Sequence, residues 1–418
     1  MTDLITIKNI IKPFYLFKLA SSLGTQLVSL FLIYLFTPEE YGQLALILTV
    51  AQFMYIITSG WTEPTIVNLG TREFTETGSY KNIVYYRGII VLFCWLLVSI
   101  AFLSFHSSVI NIIKNDTYYG VTYLLFISFS LQSMFNQLLY PAKRNFLQSS
   151  FDLTYTILLI IIVISCVRNV ESYIYVQVAL NTLYAITAST VFYQLLKKQQ
   201  FKFSSKDFIK TFNFSVWQIL GVLGIYLTNL GVNYVFTIKN ISIDKIGLYN
   251  VAYKLFSEFT PIFAICVIVI PQWIYGTADK RKLLNDINAK LIIGITMLSI
   301  AYLAIYLILT PFLKLIGKTD YTPSVDFYLF LFPAFVFMAY SQILQLIIMT
   351  TPAFKHIQYA TLIQGILLVA SCFILISFWG IIGAIISVTL AFAGKSVYLS
   401  IIYRKKAKIM ILNDEKYE

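Results

Sequence analysis

LIIGITMLSIAYLAIYLIL (Leu291–Leu309) runs for nineteen residues without a charge. At about 1.5 Å per residue such a run covers close to the roughly 30 Å of bilayer hydrocarbon, and only a helix satisfies its own backbone there. Strands of an outer-membrane barrel alternate apolar and polar positions over roughly 10 residues, which this stretch does not. Across all 418 residues, 58% are hydrophobic and 12% charged, with a mean hydropathy of +0.77, so the whole chain follows the rule of this one segment.

Apolar runs read against their flanks predict twelve spans: 14–36, 42–63, 83–105, 119–140, 152–167, 173–196, 213–237, 247–274, 289–313, 326–349, 359–378 and 380–403. Of the 31 Lys and Arg residues, 23 fall on one set of connections and span ends, Arg87 among them, and 6 on the other. That bias places both termini in the cytoplasm. A net charge of +12 is thereby explained by topology rather than by nucleic acid. No cleavable signal peptide is expected, since the first span follows Lys12-Pro13 with no small-residue cleavage site. Cys94, Cys166, Cys266 and Cys372 lie scattered in apolar spans, without metal or redox spacing.

The expected division is an N-terminal six-helix lobe (1–196), a cytoplasmic linker (197–212), a C-terminal six-helix lobe (213–403) and a basic tail (404–418). TPEEYGQLALI (Thr37–Ile47) after the first span is echoed by SIDKIGLYNVA (Ser242–Ala252) after the seventh, with Gly42 and Gly247 205 residues apart. PAKRNF from Pro141 and PAFKHI from Pro352 form a second echo, 211 residues apart. Two similar offsets at equivalent places indicate parallel repeats.

LFTPEEYGQLALILTVAQF (Leu35–Phe53), the basic PAKRNF turn and IGLYNVAYKLFS (Ile246–Ser257) together resemble the polysaccharide transporters, the O-antigen flippases of the Wzx type, within the multidrug/oligosaccharidyl-lipid/polysaccharide exporter superfamily. The resemblance implies two six-helix lobes around a central cavity and a bacterial inner-membrane location. It also implies as cargo one oligosaccharide repeat unit on undecaprenyl pyrophosphate, with surface-polysaccharide polymerase and chain-length machinery as candidate partners beside the membrane lipids themselves.

An anionic headgroup calls for cations in an otherwise apolar interior, where ionisable groups are costly and default to function. Lys254 and Lys395 are the first candidates, with Lys18 and Arg144 toward the cytoplasmic mouth. For Lys18 the alternative is snorkelling, and for Arg144 a topology signal. Glu258, one turn beyond Lys254, is expected to pair with it and is the first candidate for a titrating group, with Pro261 as the reason for a nearby kink. Glu63 beside Pro64 is a candidate gate with Lys18 or Arg87, against the plainer reading of a solvated helix end. Asn229 and Asn233, four residues apart, are candidates for sugar contacts, against helix-to-helix hydrogen bonds. RKKAK (Arg404–Lys408) is expected to rest on anionic headgroups.

No GxxxxGK[ST] phosphate loop is present, so ATP hydrolysis by that route is excluded and the driving force is open between a proton or sodium gradient and the membrane potential acting on moving charges, with no resident cofactor, catalytic residue or metal expected. Two other readings stand beside the flippase. A drug or cation exporter would favour an acidic, aromatic cavity. A membrane glycosyltransferase or polymerase finds its one hint in Glu39-Glu40, but its expected large outer loop is missing. An acyltransferase would have only His106 and His356, with no companion acid expected near either.

Overall fold

A computed structural model describes residues 13–196, 203–259, 280–351, 353 and 355–407, and these are helices joined by short turns, with no strand among them. The helices are α1 (Pro13–Leu35), α2 (Pro38–Thr58), α3 (Thr71–Thr77), α4 (Lys81–Ser104), α5 (His106–Ile113), α6 (Tyr119–Phe135) and α7 (Asn145–Cys166). They continue with α8 (Val170–Leu196), α9 (Ser205–Ile238), α10 (Ile243–Ser257), α11 (Lys280–Leu315), α12 (Thr322–Phe330), α13 (Phe332–Met349) and α14 (Lys355–Ile402).

Among the described residues nine helices are long and apolar enough to cross a membrane. The twelve expected spans are reached because α14 is two spans in one, meeting at Gly380, and because α6 and the described part of α10 are shorter pieces of the fourth and eighth spans. Gly380 has φ +54°, a backbone open to glycine and strained for other residues, which lets two apolar helices turn without a polar loop.

Several span ends move. The fifth span begins at Asn145, two turns before the expected start at residue 152, and the fourth stops at Phe135, followed by turns through Lys143. Helix α9 begins at Ser205, so the second half of the expected linker is helix, and residues 197–202 lie outside the described residues. The tenth span breaks at Leu331 into α12 and α13, because Pro333 lacks the amide that would continue the ladder.

The chain divides into two compact units. The first comprises the chain up to Phe36 together with Gln43–Val222, and the second Thr37–Gly42 together with the chain from Leu223. In the first, α1 packs along α7, and α8 along α6 and α7. In the second, α14 packs along α13, and α10 along α12, over an aromatic core. There Tyr302 and Tyr328 stack at 4.0 Å and each donates its hydroxyl to the other's backbone carbonyl, with Phe335 4.5 Å from the Tyr302 ring.

The first turn of α2 belongs to the second unit, and there the echoed glycines touch. A Cβ on Gly42 would sit 2.0 Å from the Ile243 carbonyl oxygen, and one on Gly247 only 1.8 Å from that of Pro38. The sequence repeat is therefore a reciprocal backbone contact between the starts of α2 and α10. Glu40 serves the same turn as a cap, its Oε2 accepting from the Thr37 amide at 2.9 Å while the Thr37 hydroxyl accepts from the Glu40 amide at 3.2 Å.

Candidate functional site

After α2 the chain stays helical but irregular, passing through a 3-10 turn (Gly60–Thr62), one α turn (Glu63–Thr65) and a π turn (Ile66–Gly70) into α3. Pro64 removes a ladder donor, and side chains add bonds to carbonyls of this stretch: Thr58 donates to Met54 at 2.6 Å, Trp61 to Ile57 at 2.8 Å and Thr62 to Ser59 at 2.6 Å. Glu63 is thus not a solvated helix end. It sits inside a broken helix and faces a cavity of the first unit.

That cavity measures about 380 Å³ and is lined by Glu63, Asp152, Tyr55, Tyr155, Tyr184, Gln52, Gln132, Ser133, Asn136 and Phe129. Its two carboxylates are held by neutral donors. Tyr55 donates its hydroxyl to Glu63 Oε1 at 2.7 Å. Asp152 Oδ1 accepts from Tyr184 at 3.1 Å and from Gln148 Nε2 at 3.2 Å, and Gln148 also donates to the Tyr184 hydroxyl at 2.8 Å. Tyr155 donates to Asn181 Oδ1 at 2.7 Å, and Asn181 reaches Ser128 at 3.1 Å. Gln148 and Asn181 are buried, and the network spans α6, α7 and α8.

Each carboxylate has a basic neighbour. Arg87 on α4 is 1% exposed, so it is an interior residue and not the inner topology flank expected. Its guanidinium donates to Thr62 Oγ1 at 2.9 Å, Ser133 O at 2.9 Å, Met134 O at 3.1 Å and Ser133 Oγ at 3.3 Å, while the Glu63 charge attracts it. It joins the broken segment after α2 to the last carbonyls of α6, five donors in one planar group making this reach feasible. Lys18 on α1 lies 5.7 Å from the Tyr140 ring centroid and within electrostatic range of Asp152. Glu63 and Arg87 are within electrostatic range but, among the described residues, form no ion pair, and Lys18 lies near Asp152.

The second unit holds Lys254 and Lys395, while Arg144 belongs to the first. Lys254 Nζ lies 3.4 Å from Glu258 Oε1, with the lysine side chain 38% exposed and the carboxylate 18%. Lys395 is 4% exposed on α14, and among the described residues no ion pair includes it. Arg144 is exposed in the turn before α7. Asn229 and Asn233 do not share surroundings: Asn229 is exposed, whereas Asn233 is 1% exposed and exchanges amide hydrogen bonds with Asn250 on α10 at 2.9 and 3.4 Å. Asn250→Leu is expected to cost about 1 kcal/mol, read as a fall of a few degrees in the unfolding midpoint, while Asn229→Ala leaves it unchanged. Pro261 and Lys408 lie outside the described residues.

His106 does have an acid beside it, Asp116 at 3.9 Å, but both side chains are more than half exposed and the separation exceeds a hydrogen bond. His356 Nδ1 meets the Tyr398 hydroxyl at 2.9 Å. Among the described residues no group of His, Cys, Asp and Glu is arranged to hold a metal ion.

Asp152, Tyr55, Tyr155 and Tyr184 escaped the sequence reading. The signal was present, since a carboxylate two turns into an apolar span is a functional candidate, but setting the span to start at 152 turned Asp152 into a flank.

The structure is similar to that of the lipid II flippase MurJ in an inward closed conformation, with 14% identity, a TM-score of 0.73, and coverage of 96% of this chain and 90% of that one. It is also similar to an inward-facing multidrug resistance MATE family transporter of the MOP superfamily, at 14% identity, a TM-score of 0.64 and 96% coverage of both chains. A mutant of the Vibrio cholerae MATE transporter VcmN matches at 12% identity and a TM-score of 0.61, over 97% of this chain and 100% of that one. At these identities the likeness shows the fold. No family model and no curated protein matches the chain.

Proposed function

We propose that this protein is a membrane transporter that carries a polyprenyl-pyrophosphate-linked oligosaccharide from the cytoplasmic to the outer leaflet of a bacterial inner membrane, by alternating access and without ATP. The observation carrying this reading is the half-open Lys254–Glu258 pair in the second unit, seconded by buried Lys395. An ammonium held at 3.4 Å by a carboxylate on its own helix is a cation kept available: a pyrophosphate with two charges outcompetes the single carboxylate. The fold shared with a lipid II flippase supports a cargo of lipid-linked sugar. Delivery of the repeat unit to a polymerase on the far side follows from the same reading.

In this reading the first unit drives the cycle. Glu63 and Asp152 take up a proton or a sodium ion, and their tyrosine donors turn to the ion or stay on the carboxylate accordingly. The carboxylates and tyrosines of that cavity also favour a second reading, export of an organic cation, for which they would be the binding site itself.

Purified protein in liposomes separates the two. A fluorescent polyprenyl-pyrophosphate oligosaccharide is expected to change leaflets with wild type, to slow at least tenfold with Lys254→Ala, and to lose its dependence on the ion gradient with Asp152→Asn. Transport of an organic cation, unaffected by Lys254→Ala and abolished by Asp152→Asn, would replace the flippase with the exporter. Polymerised or transferred sugar in place of leaflet exchange would replace both with an enzyme.

A further inference from the structure

The surface of each unit carries a matching feature that neither cargo nor coupling uses. In the first unit a groove of about 890 Å³ runs between α4 and α8, the third and sixth spans. Its walls are Tyr85, Ile89, Leu92 and Tyr193, each 47–65% exposed, and Lys81 stands at one end with its ammonium 5.7 Å from the Tyr85 ring centroid. The second unit has a groove of about 500 Å³ between the third and sixth spans of its own repeat, α11 and the later half of α14, with α13 as floor. It is lined by Ile295, Phe337, Tyr340, Val397 and Ile401, and ends at exposed Arg404.

We propose that each groove is a specific site for an anionic glycerophospholipid, one acyl chain lying along the apolar walls and the phosphate meeting Lys81 in the first unit and Arg404 in the second.

Depth, floor and number point to this occupant. From Lys81 to Leu92 a helix rises about 17 Å, close to half of the roughly 30 Å hydrocarbon, so the groove is one leaflet deep. Its mouth carries a cation at headgroup level, where a basic side chain adds on the order of 1 kcal/mol toward an anionic lipid. Gly88 lines the floor, and a Cβ there would meet only Met134 Cε, at 3.9 Å. Close packing within the protein therefore does not require glycine at that position, although glycine weakens a helix by about 1 kcal/mol relative to alanine. Space for a chain outside the protein accounts for it. A cargo has one polyprenyl tail, whereas two grooves at equivalent places of the repeat, each with its own cation, match lipids of the surrounding leaflet.

Native mass spectrometry of the full chain in mild detergent tests the proposal, with phosphatidylglycerol and phosphatidylcholine of identical acyl chains as probes. Two phosphatidylglycerol molecules are expected to stay bound per chain, about fivefold tighter than phosphatidylcholine. Lys81→Ala and Arg404→Ala should each lose one, and Gly88→Leu should lose one with no drop in thermal stability. Equal retention of the two lipids, or two phosphatidylglycerols still bound after both charge removals, overturns the proposal. Displacement by a polyprenyl phosphate at equimolar concentration overturns it as well, since the grooves would then belong to the cargo's tail.

Discussion

Arg87→Met is expected to lower the unfolding midpoint by on the order of 10 °C and to leave little monodisperse protein after extraction. The side chain is 1% exposed and its donors satisfy the Thr62 hydroxyl, the Ser133 and Met134 carbonyls and the Ser133 hydroxyl. Methionine fills a similar volume but withdraws the guanidinium donors from these acceptors, the Ser133 carbonyl keeping only the Asn136 amide, and leaves the Glu63 carboxylate without its cationic neighbour. Breaking a buried, hydrogen-bonded charge constellation from one side costs roughly 3–5 kcal/mol, more than the few tenths expected of an exposed lysine or arginine. Arg87→Lys keeps the charge but has no planar fork to bridge the broken segment after α2 and the end of α6, so its loss should be intermediate. Size-exclusion profiles after graded heating read both. A midpoint for Arg87→Met within 2 °C of wild type would show the guanidinium to be dispensable, and with it the link between the bend and the cavity.

The same residue shows where reading a sequence stops. Counting basic residues on span ends works because most of them do lie there, yet position alone cannot say that Arg87 has turned inward, since inward and outward differ by a rotation of the helix. Hydropathy found nearly every span, because each needs a long apolar run whatever its partners. It failed at the bends, since Gly60, Pro64 and Pro333 alter backbone direction with little change in mean hydropathy. The cost fell on the site: once helix ends are misplaced by two turns, Asp152 becomes a flank and Glu63 a terminus, and the cavity they share disappears. Lys254 and Glu258 were legible because their relation is local, four residues along one helix. The Tyr155–Asn181–Ser128 chain was not, since its members lie 26 and 53 residues apart and nothing local couples them.

Gly247→Ala is expected to approach the lower end of the Arg87→Met loss, for a reason the repeat announced without explaining. A single added methyl would have to occupy a point 1.8 Å from the Pro38 carbonyl oxygen and 2.9 Å from the Gly42 amide nitrogen, both of them backbone atoms that no rotamer change can move aside. The starts of α2 and α10 would have to part, taking the Thr37–Glu40 cap with them. Overpacking in a closed site typically costs 1–3 kcal/mol, and here the obstacle is main chain on both sides, so the upper end applies. Gly42→Ala should behave alike, with 2.0 Å to the Ile243 carbonyl oxygen. The control is Gly294→Ala on α11, where nothing lies within 4 Å: alanine should there be neutral or stabilise by about 1 kcal/mol through helix propensity alone. Thermal midpoints of the three variants decide the matter. If Gly247→Ala matched Gly294→Ala, the reciprocal glycine contact would not exist in the folded protein, and the echo between Thr37–Ile47 and Ser242–Ala252 would need another cause.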